Sequence, residues 1–447
     1  MSSPAAPVTP ATEFRRLHPL TPLLRGWKVF AAALAIGAQQ LYGDVDATWL
    51  LLGILASIPV ALVYGYLSWR FTHYLIDGGD LRLETGVLFR RSRRVRLDRL
   101  QAVDVVRPLI ARALGLAELR LEVAGGSSAE APLAYLSEPA AQALRAELLA
   151  RAAGLSSDTP EAPEAVLVTV PLDRLIRSQL LSVGVILTGA AFLVLLGLTL
   201  ALREWSLLGL AVPIGLGLWP AVVGPIISHF DFTVAESPDG LRLRHGLLET
   251  RAQTVPPGRV QAARIVEPLL WRSRGWCRIE VNVAGYGGEG QSQTSVLLPV
   301  GPKDQAFAVL RRVLPDVDLA AITLSGVPRR ARVCDPFVWR FQAAGSDDRV
   351  FVARRGRLRR ETDVVAHERV QSARLTQGAL QRRLGLATVH LDTTPGPVRV
   401  TAAHRDAREA RRILDAEVEQ ARRARGSAPP ERWMSLPEPS PPPTVAG

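Results

Sequence analysis

The sequence predicts an α+β membrane protein in which two transmembrane helical hairpins carry three copies of a β-rich module. The first observation is a block that recurs three times without gaps, centred on Gln101, Gln261 and Gln371. The second is a set of four long apolar stretches arranged in two pairs. The third is that short alternating segments in each copy precede one helical segment. Each copy of a repeat marks one structural unit, so the repeat decides the fold assignment.

The copies share their glycines. In every copy one Gly precedes the central Gln at a constant spacing and another follows it at a constant spacing, namely Gly86 and Gly115, Gly246 and Gly275, and Gly356 and Gly385. Each copy also contains an Arg-(Leu/Val)-Gln triplet. The triplet predicts a strand end at which the middle residue packs inward and the polar pair is solvated. A ligand site is the alternative.

The first part of the chain contains hairpin 1 and module one. Residues 1–13 have the composition of a disordered tail. Residues 14–70 are predicted as hairpin 1, because the second span is rich in Leu, Ile and Val and carries no charge. Module one covers 71–154 and ends in a helix for which Ser137 is the expected N-cap.

The second part repeats this order. Residues 155–178 are predicted as a linker and juxtamembrane segment, and residues 179–229 as hairpin 2. The return span of hairpin 2 contains three prolines, which membrane helices tolerate when neighbours cover the freed carbonyl groups. Module two covers 230–314, and its helix is expected near 303–313.

Module three covers 350–425 and follows without a hairpin. The interval from Gln261 to Gln371 is much shorter than the interval from Gln101 to Gln261. The shortfall is close to the length of one hairpin with two membrane spans. Residues 315–349 are therefore predicted as a linker with a remnant too short and too charged to cross. A basic helix is expected at about 402–425, and 426–447 have the composition of a disordered tail.

Basic residues predict which side of the membrane the modules occupy. Arg15, Arg16, Arg25, Lys28 and Arg70 flank hairpin 1 on its terminal side, and the turn of that hairpin contains no Lys or Arg. Because such flanks stay in the cytoplasm, both termini and all three modules are expected to be cytoplasmic. The protein is then a multi-pass protein of the cell inner membrane.

The formal charge of +12 comes almost wholly from Arg. Genome composition is one explanation of this Arg usage, and a surface that contacts anionic lipid or nucleic acid is the functional alternative. Nucleic acid is disfavoured because few aromatic residues lie among the arginines. Two clusters are candidates for contact with anionic lipid or a protein partner, and a solvated charged surface is the alternative. They are Arg90, Arg91, Arg93 and Arg94 in module one and Arg354, Arg355, Arg357, Arg359 and Arg360 in module three.

Catalytic motifs do not emerge from the sequence. The run Gly285–Gly290 formally satisfies GxGxxG, but a strand pattern follows it where a dinucleotide site needs a helix, so we interpret it as a hairpin loop. Neither HExxH, GxSxG nor a P-loop is present. We therefore expect no enzyme activity, no cofactor and no metal site. Cys277 is expected to be a small buried apolar residue.

The repeated block resembles the bacterial pleckstrin-homology-like domain (bPH2, DUF304) of membrane proteins of the YdbS/YdbT type. The resemblance is best over 350–418, and together with the hairpins it covers about 14–420. It implies a small antiparallel barrel or a pair of orthogonal sheets, closed by one C-terminal helix. It brings no established catalytic residues and a suggested link to antimicrobial resistance. Larger members have a hairpin for each domain, and module three departs from that pattern.

Together these features predict a non-enzymatic membrane scaffold whose modules bind protein partners or anionic lipid headgroups, in envelope stress or antimicrobial resistance. The alternative is a component that exports lipid or antimicrobial compounds. The apolar spans contain no Asp, Glu, Lys or Arg in their interiors. Because transporters usually place ionisable groups there, anchoring is the favoured role.

Overall fold

The computed structural model describes residues 15–16, 18–19, seven positions between 55 and 70, 71–77, 80–85, 91–96, 100–123, 130–152, 164–237, 240–256, 258–284, 295–314 and 317–427. The predicted N-terminal tail, most of hairpin 1, the 285–290 loop and most of the C-terminal tail lie outside the described residues. The chain divides into two compact units, 1–161 and 162–447, which are described separately.

Unit one contains module one. Its elements are β1 (Arg15–Arg16), β2 (His73–Asp77), β3 (Asp80–Thr85), β4 (Arg91–Arg96), β5 (Leu100–Pro108), α1 (Leu109–Ala113), β6 (Leu116–Val123), β7 (Glu130–Ser137) and α2 (Glu138–Ala152). Strands β1 to β4 pair in chain order, and so do β5 to β7, all antiparallel. Helix α2 begins directly after Ser137, where the sequence places the N-cap.

Unit two begins with one strand and three helices, which are β8 (Ala165–Thr169), α3 (Leu172–Leu180), α4 (Val183–Leu202) and α5 (Leu208–Ser228). Within the described part of the chain, two helical segments are long and apolar enough to cross a membrane, namely α4 and 205–228, which includes α5. Most of their side chains, such as Leu193 and Leu216, are exposed. Exposed apolar surface of this extent calls for a lipid or protein environment.

Helices α4 and α5 pack closely against each other. The ring of Phe192 rests on Gly215, where an added Cβ would come within 2.7 Å of a ring carbon. A small residue at this point lets two membrane helices approach. The hydroxyl of Thr199 donates to the carbonyl of Leu195 at 2.8 Å, which satisfies that polar group inside its own helix.

Module two continues with three further strands of its first sheet and then a second sheet and a helix. These elements are β9 (Thr233–Ser237), β10 (Gly240–His245), β11 (Glu249–Val255), β12 (Val260–Pro268), α6 (Leu269–Arg272), β13 (Trp276–Val283), β14 (Val296–Pro302) and α7 (Lys303–Val313). Cys277 is fully buried in β13, as predicted. Strands β13 and β14 pair antiparallel on either side of the glycine loop.

The long apolar helices are inserted between the first two strands of module two. Strand β8 pairs with β9, with Thr169 opposite Thr233, and α3, α4 and α5 lie between them in the chain. Residues 155–178, predicted as a linker and juxtamembrane segment, thus also contain a strand of the module. In unit one, Arg16 of β1 lies opposite His73 of β2 in the equivalent register.

Module three repeats the plan with a short connection in place of the hairpin. Its elements are β15 (Ser325–Gly326), β16 (Ala343–Ser346), β17 (Val350–Arg355), β18 (Arg359–Ala366), β19 (Ser372–Thr376), α8 (Ala379–Arg383), β20 (Leu386–Asp392), β21 (Val400–Asp406) and α9 (Ala407–Ser427). Gly326 lies opposite Ala343. The β15–β16 connection between them, residues 327–342, is folded into two 3₁₀ turns.

One prediction about module three is wrong. The basic helix was expected from about residue 402, but residues 402–406 belong to β21 and the helix begins at Ala407. Val400 and Ala402 alternate into the core while the strand pairs with β20. Strand pairing therefore decides the structure of this segment over its helix-favouring alanines.

A continuous seven-stranded sheet joins modules two and three, in the order β14-β13-β12-β18-β17-β16-β15. Strand β12 of module two pairs with β13 on one side and with β18 of module three on the other. As a result, Ala262 of β12 lies in the same core as Val365 and Val389. Neither module is self-contained, which the repeat alone does not predict.

The triplets of modules two and three differ in the exposure of their last residue. Val260 and Val370 are buried, as predicted for the middle residue. Gln371 is exposed, but Gln261 is buried and the expectation of a solvated polar pair is wrong there.

The repeated glycines mark turns. Gly246 and Gly356 have φ of 111° and 91°, and a Cβ at either would collide with a carbonyl oxygen of the same hairpin.

Candidate membrane-facing surface

The junction between α5 and module two is tightly built. The backbone N–H of Leu247, in the turn between β10 and β11, donates to the carbonyl of Ile227 at 2.9 Å. Beside it the rings of His229, Phe232 and His245 stack, with centroid distances of 5.1 to 6.0 Å. Burial lowers the pKa of His229 to about 4, so this ring is neutral near pH 7 and can pack on its aromatic neighbour.

Module three is connected to the start of α4 through α6. The indole Nε1 of Trp271 in α6 donates to the carbonyl of Ser178 in α3 at 3.0 Å. The backbone N–H of Leu269, also in α6, donates to the carbonyl of Leu358 at 2.7 Å. Leu358 lies at the tip of the β17–β18 hairpin of module three. The hairpin tip thus contacts α6, and α6 contacts α3. Helix α3 ends shortly before the apolar helix α4 begins.

Exposed apolar side chains lie along these contacts. Leu180 on α3, Leu248 beside the foot of α5, Leu269 on α6 and Leu358 at the hairpin tip are all exposed, Leu358 by 54%. Exposed apolar side chains at such a junction are candidates for an interaction site. We call these four residues the leucine rim.

The arginines predicted in module three divide into two groups. Arg355 is 2.8 Å from Glu361, Arg359 is 3.1 Å from Glu361, and Arg360 is 3.9 Å from Glu267. Carboxylates of the shared sheet thus balance these three. Within the described ranges, no ion pair involves Arg354 or Arg357. Arg357 is exposed beside Leu358, and its carbonyl accepts a hydrogen bond from Arg272 at 2.6 Å.

The arginines predicted in module one lie on or next to β4. Arg91, Arg93 and Arg94 belong to that strand, and Arg90 lies outside the described residues. The Arg94 side chain is 3.6 Å from Asp80 and largely exposed. Unit one therefore brings three of its four candidate residues onto one edge strand of its first sheet.

A buried ion pair holds modules two and three together. Arg264 of β12 donates from Nε to Asp363 Oδ1 at 2.6 Å and from Nη2 to Oδ2 at 3.3 Å. Arg355 adds a contact of 3.2 Å to the same carboxylate, which is fully buried. Burial raises the pKa of Asp363, and the hydrogen bonds from Arg264 oppose that rise. Removal of one partner from such a pair leaves a buried charge uncompensated.

A buried amide makes a second connection. Asn282 of β13 donates from Nδ2 to the carbonyl of Val398 at 2.7 Å and accepts from the Val398 N–H at 2.9 Å. Arg264 also donates to the carbonyl of Pro397 at 2.8 Å. Both contacts hold the loop between β20 and β21 of module three. Buried polar contacts thus reinforce the joint that the shared sheet makes.

The β15–β16 connection of module three carries exposed apolar residues of its own. Phe337 is 75% exposed and Val333 59% exposed. The guanidinium of Arg340 lies 5.3 Å from the ring of Trp339. The connection leads into β16, where Ala343 lies opposite Arg354 of β17. It therefore emerges at the same end of module three as the hairpin tip.

Sequence reasoning missed most of these residues, although one signal was available. A Pro-Leu pair opens the short helix in the first two copies, as Pro108-Leu109 and Pro268-Leu269, and both leucines are exposed. An apolar residue that recurs at an exposed turn indicates a contact with another molecule or with lipid. In the described ranges no group of three or more His, Cys, Asp or Glu side chains is placed to hold a metal ion.

Comparison with known proteins finds a family and a relative that are similar to this chain. A family described as bacterial PH domain matches the chain three times, at residues 29–152, 180–317 and 310–420. The UPF0699 transmembrane protein YdbT of Bacillus subtilis (strain 168) is 25% identical over 298 residues, which is 59% of this chain and 60% of that relative. The match thus spans less than two thirds of the relative, which is named as a transmembrane protein.

Proposed function

The chain belongs to the bacterial PH domain family, and from this premise we propose that it is a non-enzymatic integral membrane scaffold that presents three cytoplasmic modules to protein partners or anionic lipid headgroups. Two hairpins anchor the modules in the membrane. The first lies within 14–70, and the second is formed by α4 and α5. Each module ends in a helix that covers its sheets. The expected setting is envelope stress or resistance to antimicrobial compounds.

The observation that carries the proposal is the place of the membrane helices within the module. Because α3, α4 and α5 are inserted between β8 and β9, both ends of the hairpin are strands of one sheet. A module attached at two adjacent strands has little freedom to rotate away from the bilayer. Such an attachment suits a protein that holds binding surfaces at a fixed height and orientation.

The joint between β12 and β18 extends this arrangement to module three. Buried contacts of Arg264 and Asn282 fix module three to module two, so one hairpin positions two modules. Exposed arginines near an anionic leaflet contribute about 1 kcal/mol each. Arg357 beside the leucine rim is the candidate of this kind in module three.

Cysteine labelling in oriented vesicles tests the topology. Cys277 is buried and burial raises its pKa to about 12, so a Cys334→Ser chain provides an unreactive background. In that background, Thr376→Cys on β19 is expected to react with a membrane-impermeant maleimide in inverted vesicles and not in intact spheroplasts. Labelling of spheroplasts would place module three outside the cytoplasm and refute the proposal.

A further inference from the structure

The connection between β15 and β16 occupies the position that a membrane hairpin occupies in module two. Thr169 and Thr233 flank the membrane helices there, and Gly326 and Ala343 are the corresponding flanking pair in module three. Residues 327–342 thus stand where module two has residues 170–232. The first and second strands still leave the sheet at the same end, so this connection projects where a hairpin would leave the module.

The contacts of module three direct that end toward the bilayer. Ala343 lies opposite Arg354, just before the turn glycine of the β17–β18 hairpin. The tip of that hairpin contacts α6 through Leu358, and α6 contacts the juxtamembrane helix α3 through Trp271. Connection and hairpin tip therefore lie together on the side of module three that faces α3.

The connection carries both exposed apolar and exposed basic side chains. Val333 and Phe337 are exposed, Trp339 is partly exposed, and Arg332 and Arg340 are exposed beside them. The acidic residue of the segment, Asp335, accepts a hydrogen bond from Gln342 at 2.6 Å. Amphipathic aromatic rings with neighbouring cations are typical of segments that lie at the boundary between headgroups and acyl chains.

The base of the connection is held firmly. Arg405 is buried and donates to the carbonyls of Ser325 and Gly326 at 2.8 and 3.0 Å. Arg330 bonds the carboxylate of Asp406 and donates to the carbonyl of Gly385 at 3.3 Å. A segment fixed in this way needs little ordering when it binds, which favours its use as a contact surface.

We propose that residues 332–340 form an interfacial anchor by which module three rests on the anionic cytoplasmic leaflet without crossing it. Val333 and Phe337 enter the boundary between headgroups and acyl chains, and Arg332 and Arg340 bind lipid phosphate groups. The inference rests on the proposed function, because it needs module three on the cytoplasmic side. It assigns module three a membrane contact of its own.

Depth-dependent quenching tests the anchor in the full chain. A Phe337→Cys substitution in the Cys334→Ser background is labelled with an NBD dye and reconstituted in vesicles that contain phosphatidylglycerol. Spin-labelled lipids then quench the dye from a shallow or a deep position. We expect strong quenching by the shallow label and weaker quenching by the deep label, since interfacial segments lie about 5 to 10 Å into the boundary.

Two further label positions serve as references. Val212→Cys on α5 is expected to be quenched most by the deep label. Val418→Cys on α9 is exposed and lies near the opposite end of the β17 and β18 strands from the hairpin tip, because its neighbour Glu417 contacts His367. It should be quenched by neither label. The two references bracket the signal expected at position 337.

The outcomes separate the anchor from the scaffold. Quenching at 212 without quenching at 337 would overturn the anchor and leave the membrane scaffold intact. Absence of quenching at 212 would overturn both. A blue-shifted emission at 337 without quenching would show a protein contact in place of lipid and would also overturn the anchor.

A charge variant examines the lipid chemistry. Removal of both cations with Arg332→Gln and Arg340→Gln should lower the ratio of docked to undocked module by about fivefold per charge in anionic vesicles. The same variant should change little in vesicles of phosphatidylcholine alone. An equal response in both vesicles would refute the assignment of anionic lipid as the ligand.

Discussion

Modules two and three contain the same strands in the same order, yet they are held in different ways. Module two is fixed by α4 and α5, which enter between its first two strands, and by the stacked rings of His229, Phe232 and His245. Module three has no membrane helix between its first strands and instead shares a sheet with module two.

The comparison extends to equivalent residues. Arg264 on β12 and Arg374 on β19 occupy the same place in the repeat relative to the central Gln. Arg264 is buried and bonds Asp363 of the next module, whereas Arg374 is 60% exposed and bonds Asp392 of its own. The repeat thus gives each module an equivalent strand. The element beside that strand decides whether it joins two modules or lies at the edge of a sheet.

The largest expected effect comes from breaking the joint. Arg264→Met should destabilise module three by about 3 to 5 kcal/mol, because Asp363 then stays buried without its main partner. Hydrogen exchange of β18 and β20 in the full chain measures the loss. The matched change Arg374→Met should cost about 0 to 1 kcal/mol. Equal losses would show that the joint contributes nothing beyond an exposed ion pair.

Substitution of the turn glycines should destabilise modules two and three to a similar extent. Gly246→Ala and Gly356→Ala each force a side chain into positive φ and against a carbonyl oxygen, at about 1 to 3 kcal/mol. Thermal unfolding in nanodiscs, followed by proteolysis of each module, measures the change. Gly326→Ala is the control, because no atom lies within 4 Å of its added Cβ. A much smaller cost at Gly356 than at Gly246 would argue against a shared turn.

The stability of module three should depend on pH through His367. His367 is buried, with Nδ1 2.8 Å from Glu417 Oε1 and Nε2 3.0 Å from the Asp347 carbonyl oxygen. Burial by itself lowers the pKa of His367, but the hydrogen bond and charge of Glu417 outweigh it, and the pKa is raised above 6.5.

A raised pKa fixes the sign of this effect. The pair stabilises module three fully below pH 6.5, and that stabilisation is lost as the pH rises through the raised pKa. Hydrogen exchange of α9 between pH 6 and 9, corrected for the intrinsic rate, should reveal the loss. Glu417→Gln should flatten the profile. A wild-type profile that stays flat would contradict protonated His367 as the stabilising form.

The smallest expected effect concerns the hairpin tip. Arg357→Gln should weaken contact of a Leu358→Cys dye label with anionic vesicles by about 1 kcal/mol at low salt, an effect that salt screens. Arg359→Gln is the matched control, since Arg359 already pairs with Glu361. If both variants weakened the contact equally, net charge alone would account for it.

Much of the architecture was predictable from the sequence. The triple block indicated the number of modules, and the second pair of apolar stretches coincides with α4 and α5. The helix at Lys303–Val313 and buried Cys277 also agree with their predictions. These features are local, because periodicity and turn residues report on neighbouring positions in the chain.

The joint was not predictable in this way. Arg264 and Asp363 look like ordinary surface charges in the sequence, because their pairing depends on β12 meeting a strand of the next module. Burial of Gln261, at the register shift between Val260 and Ala262 of β12, was likewise not predictable from the triplet. For Arg355 and Arg360 the sequence shows the positive charges but not the carboxylates that face them on neighbouring strands.

The distance between Arg264 and Asp363 along the chain has a consequence for synthesis. The two residues are 99 positions apart, so a ribosome adding about 5 to 20 residues per second leaves β12 without β18 for roughly 5 to 20 s. During that interval a strand that is almost wholly buried in the folded protein has an open backbone edge. Neighbouring nascent chains on the same messenger offer the same strand, and mispairing between them is the hazard that quality control at the insertion site must prevent.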